Sequence, residues 1–182
     1  PPTCTHRMLA CNTKLRHLAL SKHGLSDAQL DTLVTYGLLR NNSLSALDLR
    51  ANKLSAFSGP TIERLLNENR TLSDLDLSSN ALGDGGALAL ARCLPYVPWL
   101  VRLDVRCCSI GDPGLAALAE ALSLASHVKS LMLWGNQFGP AASRAFLDTL
   151  TAIGDVKPVI DIKPYSVDGN AQVALVDEAA AG

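Results

Sequence analysis

One pattern, Leu-x-x-Leu-x-Leu-x-x-Asn-x-Leu, occurs five times in this chain, beginning at Leu15, Leu44, Leu72, Leu100 and Val128 with spacings of 29, 28, 28 and 28 residues. A unit of that length holds one short strand, one turn and one helix. No single unit can bury its own apolar face, so the copies are expected to stack into a solenoid. Side chains at the first, fourth and sixth pattern positions point to one side of the strand, and those between point to the other. The inward set is almost purely aliphatic: Leu15, Leu18, Leu20; Leu44, Leu47, Leu49; Leu72, Leu75, Leu77; Leu100, Leu103, Val105; and Val128, Leu131, Leu133. These form the expected core, copy over copy.

The ninth position holds Asn52, Asn80 and Asn136, with Cys108 in the fourth copy and His23 in the first. A buried amide there can hydrogen-bond turn backbone left unpaired between strand and helix, so these residues are expected to form an internal structural ladder. His23 breaks the pattern and reads as a structural histidine in a looser turn. Helix start signals follow each turn: Ser26-Asp27, Ser58-Gly59-Pro60, Gly83-Asp84, Gly111-Asp112-Pro113 and Gly139-Pro140. Proline suits the first helical position, and Asp27, Asp84 and Asp112 can accept from orphan helix N–H groups. Helices pack about 8–10 Å apart and parallel strands about 4.8 Å, so the helical side must be convex and the sheet side concave. The expected fold is an α/β horseshoe.

Hydrophobic residues make up 48% of the chain and aromatics only 4%, a balance that aliphatic stacking explains. A net charge of -1 argues against nucleic acid as a partner. The five cysteines, Cys4, Cys11, Cys93, Cys107 and Cys108, are odd in number and lack a paired metal spacing, which favours reduced thiols in an intracellular compartment. Cys4-x-His6 has no second pair to complete a metal site. No apolar run approaches the roughly 18 residues of a membrane span, and no targeting segment is visible. No cofactor, metal, membrane or small-molecule substrate is expected. The start at Pro1-Pro2 and the helix-like Met8-Leu9 suggest an upstream repeat.

Repeat length and pattern resemble the ribonuclease-inhibitor type of leucine-rich repeat over residues 15 to about 155. The closing segment departs from the consensus. It reads Leu133-Trp134-Gly135-Asn136-Gln137-Phe138, then Ala145-Phe146, Val156-Lys157-Pro158 and Lys163-Pro164-Tyr165-Ser166-Val167-Asp168-Gly169. This run resembles the family of leucine-rich repeat-containing protein 34. The resemblance implies a non-enzymatic protein of ciliated and germ-line cells, first an axonemal scaffold within a large assembly, with cytoplasmic or nucleolar residence as alternatives. Independently of it, Pro158 to Val167 is β-rich, Asp168-Gly169 is a strong hairpin turn, and Gln172 to Val176 can return as a second strand. The expected boundaries are 1–14 for the end of a preceding repeat, 15–155 for the five copies, 156–177 for a capping hairpin and 178–182 for a disordered tail.

Outward strand positions line up as columns on the concave face. One reads Ala19, Asp48, Asp76, Asp104, Met132; the next Ser21, Arg50, Ser78, Arg106, Trp134; the third His17, Ala46, Asp74, Arg102, Ser130. Stacked carboxylates repel unless cations intervene, and Arg50, Arg102 and Arg106 are placed to compensate. Mixed charge beside the apolar bulk of Met132 and Trp134 suggests a protein-binding face, with Trp134 as the anchor unless the hairpin covers it. Self-neutralising Asp/Arg pairs on a merely solvated face are the bland alternative. In Pro95-Tyr96-Val97-Pro98-Trp99, prolines shorten the third repeat's helix and Trp99 is expected to fill the gap, an exposed contact being the alternative.

No phosphate-binding loop, zinc pattern or nucleophile motif is present, and Gly83-Asp84-Gly85-Gly86 reads as a tight turn. An enzyme is therefore the least expected class. Rival readings are a GTPase-activating or inhibitor repeat protein using Arg50 or Arg106, and the sensing region of an innate immune receptor.

Overall fold

The computed structural model describes residues 4–154 and 158–176. The expected tail, 178–182, and the Pro1-Pro2 start lie outside the described residues. A helix, α1 (Cys4–Cys11), precedes five strand-and-helix units: β1 (His17–Ala19) with α2 (Asp27–Tyr36), β2 (Ala46–Asp48) with α3 (Gly59–Glu68), β3 (Asp74–Asp76) with α4 (Gly83–Cys93), β4 (Arg102–Asp104) with α5 (Asp112–Leu124), and β5 (Ser130–Met132) with α6 (Pro140–Ala152). Then come β6 (Val159–Ile160), β7 (Ile162–Val167) and β8 (Asn170–Leu175). Strands β1 to β6 form one parallel sheet in sequence order. The register sets Leu18, Leu47, Leu75, Leu103 and Leu131 side by side, followed by Ile160.

The core lies between sheet and helices. Inward leucines of copies two to five are buried, whereas Leu15, Leu18 and Leu20 of the first copy are half-buried because no strand lies on their outer side among the described residues. From the helices, Leu30, Ile62, Leu90, Leu118 and Phe146 complete this core. Strand, turn and helix meet at the eighth pattern position, where Lys22, Ala51, Ser79, Cys107 and Gly135 all have left-handed backbone with φ between 53° and 77°.

Three sets of side chains stitch the copies together. In the ninth-position ladder, Asn80 Nδ2 donates to Leu49 O (3.1 Å) and Leu77 O (2.8 Å), while its Oδ1 accepts from Asn52 N (3.1 Å) and Leu54 N (3.2 Å). Asn52 and Asn136 repeat the arrangement. Cys108 keeps the donor half only in outline, its thiol reaching Leu77 O at 3.2 Å. Exposed His23 stands apart, with Nδ1 2.8 Å from Ser21 O in its own turn.

The helix-start aspartates act one copy further on than their position suggests. Asp27 accepts from Ser55 N (2.8 Å), Ser55 Oγ (2.6 Å) and Ser58 Oγ. Asp84 accepts from Gly111 and Gly114 N–H groups, and Asp112 from those of Gly139, Ala141 and Ala142. Each carboxylate therefore serves the following helix start, where its charge also suits the positive end of the helix dipole. The fit is close: a Cβ on Gly139 would lie 2.6 Å from Asp112 Cγ. Burial pushes Asp27 up, but the Ser55 and Ser58 hydrogen bonds outweigh it and its carboxyl titrates below the ordinary value.

A third ladder, at the helix-to-strand turns, lies three residues before the first pattern position. Asn41 Nδ2 donates to Leu9 O and Asn12 O, and Asn69 Nδ2 to Leu38 O and Asn41 O. Their Oδ1 atoms accept from the N–H groups that open the strand segments, as does that of Asn12. Val97 and Ala125 take this place in the fourth and fifth copies, where the turns close by backbone bonds, Leu100 N to Val97 O and Val128 N to Ala125 O.

At the C-terminal end, β6 extends the sheet while β7 and β8 form an antiparallel hairpin turned by Asp168 and Gly169, at φ 51° and 81°. The hairpin lies against α6. The ladder of backbone bonds between copies ends on a side chain. Leu77 N and Val105 N donate to the carbonyls of Asp104 and Met132, whereas Leu133 N and Trp134 N donate to the Asp161 carboxylate at 2.7 and 3.1 Å.

Removing one ladder amide takes a partner from backbone groups of two copies at once, Asn52 N, Leu54 N and Leu49 O in one and Leu77 O in the next. Asn80→Ala is expected to cost about 3 kcal/mol by urea denaturation. Thiol titration should separate the cysteines as well. Burial pushes Cys93 and Cys108 up to about 12, so they are expected to react with a disulfide reagent only after unfolding, while exposed Cys11 and Cys107 react in the native protein.

Candidate functional site

Strand starts and ends are set by the aliphatic positions, so the residues between them project from the concave sheet in three columns. The structure brings Asp48, Arg50, Asp74, Asp76 and Arg102 together around a depression of about 230 Å³. Asp104, Arg106 and Trp134 continue the same face toward the C-terminal copies.

The aspartate column is not a row of competing free charges. Asp48 Oδ1 accepts from Arg50 N at 2.8 Å, and Asp76 Oδ1 from Ser78 N (2.9 Å) and Ser78 Oγ (2.6 Å). Asp104 Oδ1 accepts from Arg106 N at 3.1 Å. Each carboxylate thus folds onto the amide two residues ahead and holds the turn out of its own strand.

Asp104 goes further. It is fully buried and takes a forked hydrogen bond from Arg106, with Nε 3.0 Å from both carboxylate oxygens and Nη2 2.6 Å from Oδ2. Arg102 stands 3.7 Å from the same carboxylate and 3.6 Å from Asp74. The bond to Asp104 raises the Arg106 pKa above its already high ordinary value. Asp74 is pushed up, first by burial and then by Asp76 and Asp104, with Arg102 opposing. Asp48 and Asp76 make no ion pair among the described residues, and neither does the Arg50 guanidinium.

The expected pair of apolar anchors is corrected to one. Trp134 is 44% exposed, but Met132 is only 3% exposed and offers no contact surface. Met132 lies in register between Asp104 on one side and the Asp161 position on the other. The Asp161 carboxylate folds back to the amides beside it, which encloses the methionine. Trp134 sits two residues on, past the end of β5, where that enclosure stops.

Trp99 is half-buried against the core, with the Arg70 guanidinium 5.8 Å over its ring, while Val97 is buried and Tyr96 is 76% exposed. That segment therefore does both things the sequence left open. Among the described residues no group of three or more His, Cys, Asp or Glu is arranged to hold a metal ion, and no helix is long and apolar enough to cross a membrane. Two structural devices escaped the sequence reading. The Asn12, Asn41, Asn69 ladder had a signal, asparagine three residues before a pattern start. Asp161 had none, because it lies beyond the last copy.

Comparison with known proteins agrees with this geometry. Residues 11–28, 68–91 and 98–119 match the leucine rich repeat family. No curated protein matches the chain in sequence. Among solved structures, actin-binding site 2 of leiomodin-1 is similar in fold, with a TM-score of 0.65 at 16% identity, covering 84% of this chain and 93% of that one. The tropomodulin C-terminal domain from Caenorhabditis elegans has a TM-score of 0.63 at 15% identity, covering 82% of this chain and 93% of that one. At such identities the likeness is one of fold. The chain is a leucine-rich repeat solenoid, with a parallel sheet on its concave face and a C-terminal hairpin.

Proposed function

We propose that this solenoid is a non-enzymatic scaffold that grips a protein partner on its concave face, with Trp134 as the apolar anchor and Asp48, Arg50, Asp74, Asp76 and Arg102 as the polar field beside it. The observation that carries this reading is the exposed Trp134 side chain, one copy on from Arg106 in the same column, whose fork with Asp104 is already formed and needs no ordering on binding. Aromatic side chains held on a rigid surface are the usual energetic centres of interfaces. The self-satisfied carboxylates of Asp76 and Asp104 contribute shape more than attraction. Asp48 and Arg50 are left to pair with the partner.

The finer assignment is a structural component of the ciliary or flagellar axoneme, which the closing segment's resemblance supports. A second reading, an actin-bound scaffold, has support from the fold shared with leiomodin-1's actin-binding site. Cosedimentation of the protein with isolated axonemes and with actin filaments separates them. Axonemal binding is expected, weakened about 30-fold by Trp134→Ala, equivalent to about 2 kcal/mol, without loss of secondary structure by circular dichroism. Unchanged axonemal affinity in that variant would remove Trp134 from the interface. Stimulation of GTP hydrolysis that Arg50→Ala or Arg106→Ala abolishes would replace the scaffold with a GTPase activator; no stimulation is expected.

A further inference from the structure

The rim where helices return to strands changes character along the stack. Backbone N–H groups of Ser45, Ser73, Val101 and Lys129 each donate to the equivalent residue one copy earlier, beginning with Arg16, and Val159 N donates to Lys129 O, so this rim is one continuous edge. In the first three copies it is basic. Arg16, Arg40 and Arg70 are exposed there, with Glu68 as the acid among them.

From the fourth copy it turns apolar. Tyr96 and Leu124 occupy equivalent positions in successive copies, four residues before the pattern start, where the second and third copies carry Arg40 and Glu68. Leu124 is 72% exposed, and Val101 and Pro98 are exposed beside Tyr96. Next to Leu124 a groove of about 330 Å³ opens between the ends of α5 and α6, with Leu122, Ala125, Val128 and Ile153 as its apolar wall. The Lys129 ammonium stands at its mouth, donating to Ser126 O at 3.1 Å.

Exposed apolar side chains at matched positions in two successive copies mark a surface that something covers. What covers it follows from the charges. Arg70 stands on one side of the apolar stretch and Lys129 on the other, and no Asp or Glu occupies the rim between them, residues 94–101 and 124–130.

We propose that this rim is a second docking surface, separate from the concave face, for an extended acidic segment of a partner protein carrying large apolar side chains. One such side chain enters the groove walled by Leu122 and Ile153. Others cover Tyr96, Val101 and Leu124. Flanking carboxylates meet Lys129 on one side and Arg70 and Arg40 on the other.

The test uses a fluorescein-labelled peptide of fourteen residues alternating Glu or Asp with Leu or Phe, read by fluorescence anisotropy. Two control peptides replace the acids by Lys, or Leu and Phe by Ser. The acidic apolar peptide is expected to bind at least tenfold more tightly than either control. Leu124→Glu and Lys129→Glu, both exposed positions, should each weaken it at least tenfold, while Trp134→Ala leaves it unchanged. No binding, equal binding of the Lys peptide, or indifference to Leu124→Glu would overturn the proposal. Sedimentation showing a dimer that Leu124→Glu dissolves would assign the rim to a second copy. Binding to phosphatidylserine vesicles that Leu124→Glu abolishes would assign it to a lipid surface. Either result would displace the peptide.

Discussion

Each copy of this repeat makes turns whose backbone polar groups its own residues cannot satisfy, and the neighbouring copy supplies the missing partner. That dependence is the constraint on which the structure rests. Asn80 accepts from Asn52 and Leu54 in the copy before, Asp84 accepts from Gly111 and Gly114 in the copy after, and Asn69 donates to Leu38 and Asn41 behind it. A buried amide without a partner costs about as much as several methylenes of burial add, so the copies stand or fall with their neighbours. Stability is then a sum over interfaces between copies, as expected of a quasi-one-dimensional fold. Asp84 and Asp112 continue the carboxylate series, and Pro140 takes the corresponding place in the fifth copy.

The aliphatic positions, the helix starts and the hairpin turn were all legible, because each follows from a local rule: side-chain alternation, helix-start residues, and left-handed backbone at Asp168-Gly169. Register between strands came with them, since equal repeat lengths leave one way to align Leu47 with Leu75. What alternation does not determine is exposure. Asp104 and Met132 sit in the outward column as expected, yet both are buried, one beneath the forked Arg106 and the other beside the folded-back Asp161. The direction of the helix-start carboxylates was hidden for a related reason. A sequence shows which residue can cap a helix, while the choice between its own helix and the next depends on how closely two copies approach, and Gly139 permits that approach.

Freedom on the surface follows from this division of labour. The ladders occupy the turns and the aliphatic residues occupy the core, so the exposed side chains of the outward columns and of the rim, Arg50, Trp134 and Leu124 among them, are open to partner recognition. The two candidate surfaces differ accordingly. On the concave face the polar groups are largely paired among themselves around one exposed tryptophan. On the rim, exposed apolar groups lie between arginines and a lysine. Loss of the Asn ladder in the fourth and fifth copies coincides with the rim's apolar stretch, as Val97 and Trp99 replace residues that the second and third copies devote to hydrogen bonds.

Amide hydrogen exchange by NMR, comparing the protein with its Asn80→Ala variant, tests the dependence between copies most directly. The Asn52 and Leu54 amides donate to the Asn80 side chain of the following copy. Their protection should collapse in the variant while the Cys108 and Ile110 amides, held by Asn136, keep theirs. Protection of Asn52 and Leu54 that survives the substitution, or loss confined to the copy carrying it, would contradict the account.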